Sequence, residues 1–292
     1  MVRLYSFSHR RQNPDMFPEA CDTCSPVRRF MLPAHKQRHD DAKHSAQSPL
    51  YDVSKSFLES FVRDTLEPDT DYNTSCCAVV NRLCNIMKHN FHQELRPAQI
   101  IKGGSLGKGT AVKGKSDVDL VVFLPFDSIR SLQNKMDTVL NDMKTYLHGG
   151  ECTIEGQTQH AVKVSVSCHQ AHTHDVDILP SVNILDKYHS KEEIYERMKG
   201  LSETDQSFYS AALVPLQIDF VSQRPTKLKS LIRLVKYWRK TSFNESTGDK
   251  RLPTSYPLEV ITISQWLKEC GRENFDLRQG FYNVLKALVN YP

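Results

Sequence analysis

With 292 residues, a formal charge of +4, 25% charged and 39% apolar residues, the chain has the composition of an ordinary globular protein, long enough for a sizeable core in two lobes. No apolar run approaches the roughly 20 residues that span a bilayer, and no basic-then-apolar leader opens the sequence. This pattern excludes a helical membrane protein and leads us to expect a cytoplasmic one whose eight cysteines are reduced thiols. The mild net charge permits a nucleic-acid partner without arguing for one, because clustering matters more than the total.

Residues 1–50 are rich in Arg, His, Pro, Ser and Gln, lack sustained periodicity and read as a disordered basic tail. Cys21, Cys24, His35 and His39 give C-x2-C-x10-H-x3-H, close to a zinc finger. The central gap is two short of the usual twelve, and Pro33 falls where the finger's helix should run, so the plainer reading is scattered Cys and His. The globular part begins near Ser54. Phe57, Phe61 and Leu66 suggest a helix stopped by Pro68. A second helix over about 70–89 places Val79, Val80, Leu83, Ile86 and Met87 on one face. Gln99 to Lys102 reads as a short strand.

Residues 102–125, KGGSLGKGTAVKGKSDVDLVVFLP, follow as a glycine-rich turn, two aspartates one residue apart, and an apolar strand ended by Pro125. Gly109 to Ser116 fits the P-loop pattern letter for letter, but a P-loop follows a strand and opens a helix, and here a strand comes after the loop. Side chains alternate along a strand, so Asp117 and Asp119 face the same way. Two carboxylates beside a glycine loop can hold Mg²⁺ that in turn holds a triphosphate. The plainer alternative is a glycine-rich hairpin with solvated aspartates.

Residues 128–147 have the clearest helical spacing, through Ile129, Leu132, Met136, Val139, Leu140, Met143 and Leu147. Strands are expected near 151–155 and 160–167, the second setting Ala161, Lys163 and Ser165 against Val162, Val164 and Val166. The segment Asp175-Val176-Asp177-Ile178-Leu179-Pro180 then repeats the pattern of acids on an apolar strand ended by proline. On a strand beside Asp117 and Asp119, Asp177 would supply a third carboxylate and complete a metal cage; Asp175 lies on the same face and could support or replace it. Cys168, His169, His172 and His174 could bind zinc, though a polar hairpin with histidines explains them as well. From about 203 the chain turns helical. Residues 226–240, TKLKSLIRLVKYWRK, carry an apolar face of Leu228, Leu231, Ile232, Val235 and Trp238. Lys229, Arg233, Lys236 and Lys240 form a basic stripe on another face, without interleaved acids. Such a stripe is either solvated surface or a contact for a phosphate-bearing partner. Residues 256–269 and 277–290 read as further helices.

The strings KGGSLGKGTAVKGKSDVDLVVFL, DVDILPSVNIL, QRPTKLKSLIRLVKYW, LPTSYPLEVITISQW and QGFYNVLKALVNY occur in one order over roughly residues 52–291. In this the chain resembles the 2'-5'-oligoadenylate synthases, template-independent nucleotidyltransferases of the polymerase-beta-like superfamily. The resemblance implies an α+β nucleotidyltransferase fold, with a mixed or antiparallel sheet and flanking helices in a catalytic core over 51–202. It also implies a C-terminal helical lobe over 203–292. Relatives continue past the last helix, so that lobe is expected to be truncated, leaving the apolar face of Phe281, Val284, Leu285, Leu288 and Val289 short of partners.

The resemblance further implies that ATP is polymerised into 2'-5'-linked oligoadenylates with release of pyrophosphate, in innate antiviral signalling. Asp117, Asp119 and Asp177 match the family's metal-binding catalytic acids, for Mg²⁺ with Mn²⁺ as the alternative ion. Gly104 and Ser105 match the loop that contacts the triphosphate, and Arg233, Lys236 and Tyr256 match nucleotide contacts. Ser255 stands where many members have glutamine, and Leu106 where they have a second loop serine. Double-stranded RNA is the implied activator, with Lys88, Lys102, Thr226, Lys227 and Lys229 at contact positions, in a shape-and-phosphate mode. Ile218 and Ser222 replace basic residues of some RNA-activated relatives, which predicts weak or altered RNA dependence. A monomer is expected. The competing readings are a relative making a cyclic dinucleotide or other nucleotide messenger, and an inactive RNA-binding sensor; the intact aspartate triad argues against the last.

Overall fold

The computed structural model describes residues 54–114, 117–148, 152–168, 173–188, 190–243, 253–269 and 271–290. The tail with its Cys and His pairs lies outside the described residues, as do Lys115, Ser116, His169 and His172. Among the described residues no helix is long and apolar enough to cross a membrane.

Helix α1 (Lys55–Phe61) is capped by the Ser54 hydroxyl and runs into a π-type turn over Val62–Leu66. Helix α2 (Thr70–Asn90) starts where Asp69 accepts a hydrogen bond from the Tyr72 N–H, and it buries Cys76, Val79, Val80, Leu83 and Met87 on one stripe. Strand β1 (Gln99–Lys102) leads into α3 (Gly104–Lys108), a five-residue helix where the sequence suggested only a turn. Gly109 ends it in the left-handed region at φ 70°, which a residue without Cβ adopts freely.

Strand β2 (Val118–Phe123) then bears out the order that argued against a P-loop. The helix expected over 128–147 is two, α4 (Ile129–Gln133) and α5 (Met136–Leu147). Ser128 and Ser131 form a capping box on the first, and the backbone leaves helical geometry at Lys135. The apolar stripe survives the break, since Ile129, Leu132, Met136, Val139, Leu140, Met143 and Leu147 are all buried.

Strands β3 (Cys152–Gln157), β4 (Val162–Ser167) and β5 (Thr173–Ser181) complete a mixed five-stranded sheet in the order β1-β2-β5-β4-β3. β2 and β5 are parallel and the other pairs antiparallel. Pro180 does not end β5, which continues to Ser181 beside β2. Alternation sets Val118, Leu120, Val122, Val176, Ile178, Val162, Val164 and Val166 into a core with α2 and α5. The other face of the sheet carries Asp119 and Val121 beside Asp177 and Leu179.

The rest of the chain is helical: α6 (Lys191–Lys199), α7 (Glu203–Ala212), α8 (Val214–Ser222), α9 (Thr226–Ser242), α10 (Ser255–Glu269) and α11 (Leu277–Val289). Helix α7 packs on β5 and α8 on α3. A second core joins α9, α10 and α11 to Leu58, Val62 and Leu66 from the start of the described chain. The face of α11 expected to lack partners is therefore covered: Phe281, Val284, Leu285 and Leu288 are buried, because α1 folds back to pack on α11.

Candidate active site

Two adjacent parallel strands bring the acids of the two aspartate motifs together. Asp119 of β2 and Asp177 of β5 are Cα partners in register, and Asp117 stands one residue before β2 on the same face. Gly104 packs directly against them. A Cβ built there would lie 1.6 Å from Asp119 Oδ2, at a φ of +52°. Only glycine lets α3 approach this closely. Burial pushes the Asp119 carboxyl up to about 6, with the charges of Asp177 and Asp117 adding to the effect. Asp117 is exposed, and Asp175 lies exposed further back on β5.

The three carboxylates share a face without closing on one point: among the described residues, no three His, Cys, Asp or Glu side chains converge to hold an ion. Lys163 of β4 is the Cα partner of Asp177, and its Nζ is 3.5 Å from Asp177 Oδ1. The donor set nevertheless fits a hard divalent cation. It offers carboxylate oxygens from neighbouring strands, and their mutual repulsion, visible at Asp119, is what a cation relieves.

The basic stripe of α9 is not a solvated surface. Arg233 donates from Nε to the Ala111 carbonyl (3.1 Å) and from Nη2 to the Gly109 carbonyl (2.8 Å), and its Nη1 meets Glu67 Oε1 at 3.2 Å. Lys236 is buried, with Nζ 3.2 Å from both the Thr110 carbonyl and Glu259 Oε1. Lys108 reaches the same carboxylate, 2.7 Å from Oε2, and lies over the Tyr256 ring at 4.8 Å. Thr110 donates its hydroxyl hydrogen to Glu259 Oε1 at 2.7 Å. Burial pushes the Tyr256 phenol upward, with Tyr195 and Glu259 adding. Arg233, Lys236 and Tyr256 thus stand together on the segment 108–111 that follows the glycine turn, while Ser105 sits half-buried within α3. Only Lys240 of the stripe is exposed.

The five RNA-contact candidates are less uniform. Lys88 and Thr226 are exposed. Lys227 is paired with Glu59 at 2.9 Å, Lys229 donates to the Ser222 carbonyl, and Lys102 donates to Cys77 Sγ at 3.4 Å. Sequence reasoning missed Lys163, Lys108, Glu67 and Glu259. The alternation of β4 sets Lys163 on the face away from Val162 and Val164, and the register with β5 puts it beside Asp177; nothing local marks Glu259.

Near the end of β5 lies a cavity of about 420 Å³ bounded by Leu179, Pro180, Phe208, Ala211, Val214 and His160. Its volume is in the range of small-molecule sites, roughly 300–1,000 Å³. Leu179 pairs with Val121 just as Asp177 pairs with Asp119, so one residue lining the cavity lies two positions beyond the acid pair on the same strand face. Val214 bounds the other side and approaches Gly103. The His160 ring stands edge-on to Phe208 at 4.7 Å, and burial pushes its imidazole pKa down.

The mixed sheet with two acid-bearing parallel strands and a glycine-led helix is a nucleotidyltransferase fold. It matches the structures of CdnC from E. coli MS115-1 bound to HORMA-deltaN and with ATP, each at a TM-score of 0.52. The first is 21% identical, over 80% of this chain and 69% of that one. A family model for the second messenger oligonucleotide or dinucleotide synthetase domain matches residues 52–202, and one for domain 2, the C-terminus, of 2'-5'-oligoadenylate synthetase 1 matches residues 188–292. Mouse 2'-5'-oligoadenylate synthase 1A is 33% identical over 80% of this chain and 70% of its own length. Rat 2'-5'-oligoadenylate synthase 2 is 29% identical over 83% of this chain, which spans 36% of that relative. The chain belongs to the 2'-5'-oligoadenylate synthase family of nucleotidyltransferases.

Proposed function

We propose that the protein polymerises ATP, without a template, into 2'-5'-linked oligoadenylates and releases pyrophosphate. The observation that carries this reading is the in-register pair Asp119–Asp177 facing Gly104. Asp117, Asp119 and Asp177 would hold Mg²⁺, or Mn²⁺ in its place. When bound, the metal supplies activation of the attacking hydroxyl and charge neutralisation on the leaving pyrophosphate.

The chain's own residues bind and orient. Gly104 lets α3 sit directly against Asp119, and Ser105 offers a hydroxyl to the triphosphate. Lys108, Arg233 and Lys236, offset in part by Glu259 and Glu67, leave a net positive charge around 108–111 where phosphate charge develops. Tyr256 flanks the nucleotide. The cavity beyond Leu179 receives the acceptor nucleoside, whose 2'-hydroxyl attacks the α-phosphate as the bond to the β-phosphate breaks. The acids belong to a catalytic core over 51–202, and Arg233, Lys236 and Tyr256 to a helical lobe over 203–292. The 2'-5' linkage and a role in innate antiviral signalling are carried over from the relatives.

Measuring pyrophosphate release from ATP with and without Mg²⁺ tests the reaction. Wild type is expected to be active and Asp117→Ala nearly inactive; equal rates would sink the enzyme reading. Mass analysis of the products tests the linkage: a ladder resistant to 3'-5' phosphodiesterase supports it. A cyclic product would favour the second reading; the family model that matches residues 52–202 covers oligonucleotide and dinucleotide synthetases alike.

Double-stranded RNA is the proposed activator, through Lys88 and Thr226. Lys227 is tied to Glu59 and Lys229 to Ser222, so fewer ammoniums are free for phosphates and the stimulation is expected to be weak. Equal rates with and without duplex RNA would exclude it.

A further inference from the structure

The proposed reaction uses Asp177 and gives no role to the cation beside it. Lys163 lies directly across the β4–β5 ladder from Asp177, with Nζ 3.5 Å from Oδ1. Packing does not demand a lysine there. Its side chain is 48% exposed, while the flanking Val162 and Val164 fill the core. The register places its charge on the face that carries Asp117, Asp119, Asp175 and Asp177. On that face, among the described residues, the three candidate ligands form no converged cation site, and Asp177 is in contact with an ammonium.

We propose that Lys163 is a built-in counter-cation of the metal site. Its ammonium holds the Asp177 carboxylate until a divalent ion draws Asp177 together with Asp117 and Asp119, and it thereby raises the metal concentration the protein requires. The inference rests on the reading of the three aspartates as metal ligands. An ammonium is well suited to this role. It is a compact, hydrated charge on a flexible stem, so it can withdraw into solvent without disturbing the sheet. It cannot share Asp177 with a divalent ion on equal terms, because the two cations repel. Partial exposure keeps the pair weak, which makes the device a tuner rather than a block.

The test is Mn²⁺ binding to the full chain, followed by the electron paramagnetic resonance signal of free Mn²⁺, with melting temperature recorded in chelator. Lys163→Gln is expected to bind Mn²⁺ about two- to fivefold tighter than wild type, the scale of one exposed ion pair. Lys163→Arg should stay near wild type and Lys163→Glu should bind tighter than Lys163→Gln. A cross-strand pair with a purely structural role would lower the melting temperature of Lys163→Gln and leave Mn²⁺ affinity unmoved. That result overturns the proposal. So does unchanged Mn²⁺ affinity with weaker binding of a non-hydrolysable ATP analogue, which would make Lys163 a phosphate contact. Wild-type protein that binds no Mn²⁺, or binding that survives Asp177→Ala, overturns the metal reading and this inference together.

Discussion

Glu259 and Lys108 form an ion pair of 2.7 Å whose side chains are 0% and 6% exposed. Lys108 closes α3 beside the candidate acids, and Glu259 sits on α10, so the pair ties the loop to the helical lobe. Lys236 makes the same carboxylate a bridge between two ammoniums. Burial pushes the Lys236 pKa down; Glu259 opposes this and Lys108 reinforces it. Removing the shared carboxylate strands two buried cations. Glu259→Ala is expected to lose about 3–5 kcal/mol of stability, measured by urea unfolding. Glu259→Ala combined with Lys108→Met should recover part of that loss, because one uncompensated charge goes with it.

The same pair marks the limit of what the sequence discloses. Asp117, Asp119 and Asp177 are legible because strand alternation is local, and each of the two aspartate motifs precedes its own apolar run. That Asp119 faces Asp177 is a matter of register between distant strands, which only the sheet reveals. The stripe Lys229-Arg233-Lys236 has readable spacing but misleading exposure. The carbonyls of Gly109 and Ala111 need donors, and Arg233 supplies them from a helix far along the chain. The face of α11 reads as short of partners for a related reason: its cover, α1, comes from the opposite end of the described residues. The break between α4 and α5 has no glycine or proline to announce it.

Gly104 offers a sharp test of the site geometry. An added Cβ would overlap Asp119 Oδ2 at 1.6 Å, so Gly104→Ala must move either α3 or the carboxylate. A displacement of about 1 Å among reacting groups lowers rates by about 100-fold. We expect at least that loss in pyrophosphate release. Gly114 is the control, since it too has a left-handed φ, +65°, but open space where its Cβ would stand. Gly114→Ala should lower stability by roughly 1–2 kcal/mol and leave turnover near wild type.

Acid should loosen α11 through its cap. Asp276 accepts from the Arg278 N–H at 2.9 Å and the Gln279 N–H at 3.2 Å, and Lys55 pairs with it at 3.3 Å. Burial alone would push this carboxyl up, but the Gln279 N–H, Lys55 and the Arg278 N–H outweigh it and hold it below the usual carboxylate range. A depressed carboxyl contributes stability above its unfolded pKa, about 3.9, and loses it as pH falls through the lower folded value. Asp276→Asn keeps a capping oxygen and should flatten this acid limb while losing little at pH 7. Asp276→Ala should lose ~1 kcal/mol at pH 7. Chemical denaturation at pH 7 and pH 3 separates the two variants.

The cavity beyond Leu179 gives a way to separate donor from acceptor. Ala211 lines it from α7, and neither Arg233 nor Lys236, proposed to meet the donor phosphates, is among the residues that line it. Ala211→Phe would fill much of the space while leaving Asp119, Asp177 and Gly104 where they are. If an acceptor nucleoside occupies the cavity, the variant should bind a non-hydrolysable ATP analogue at wild-type strength when the acceptor is absent. Its KM for an added 2'-5'-linked adenylate dimer should rise about tenfold, equivalent to about 1.4 kcal/mol of lost contact. Initial rates against dimer concentration provide the measurement. An unchanged KM would remove the cavity from the acceptor path, whereas weakened ATP-analogue binding alone would assign it to the donor.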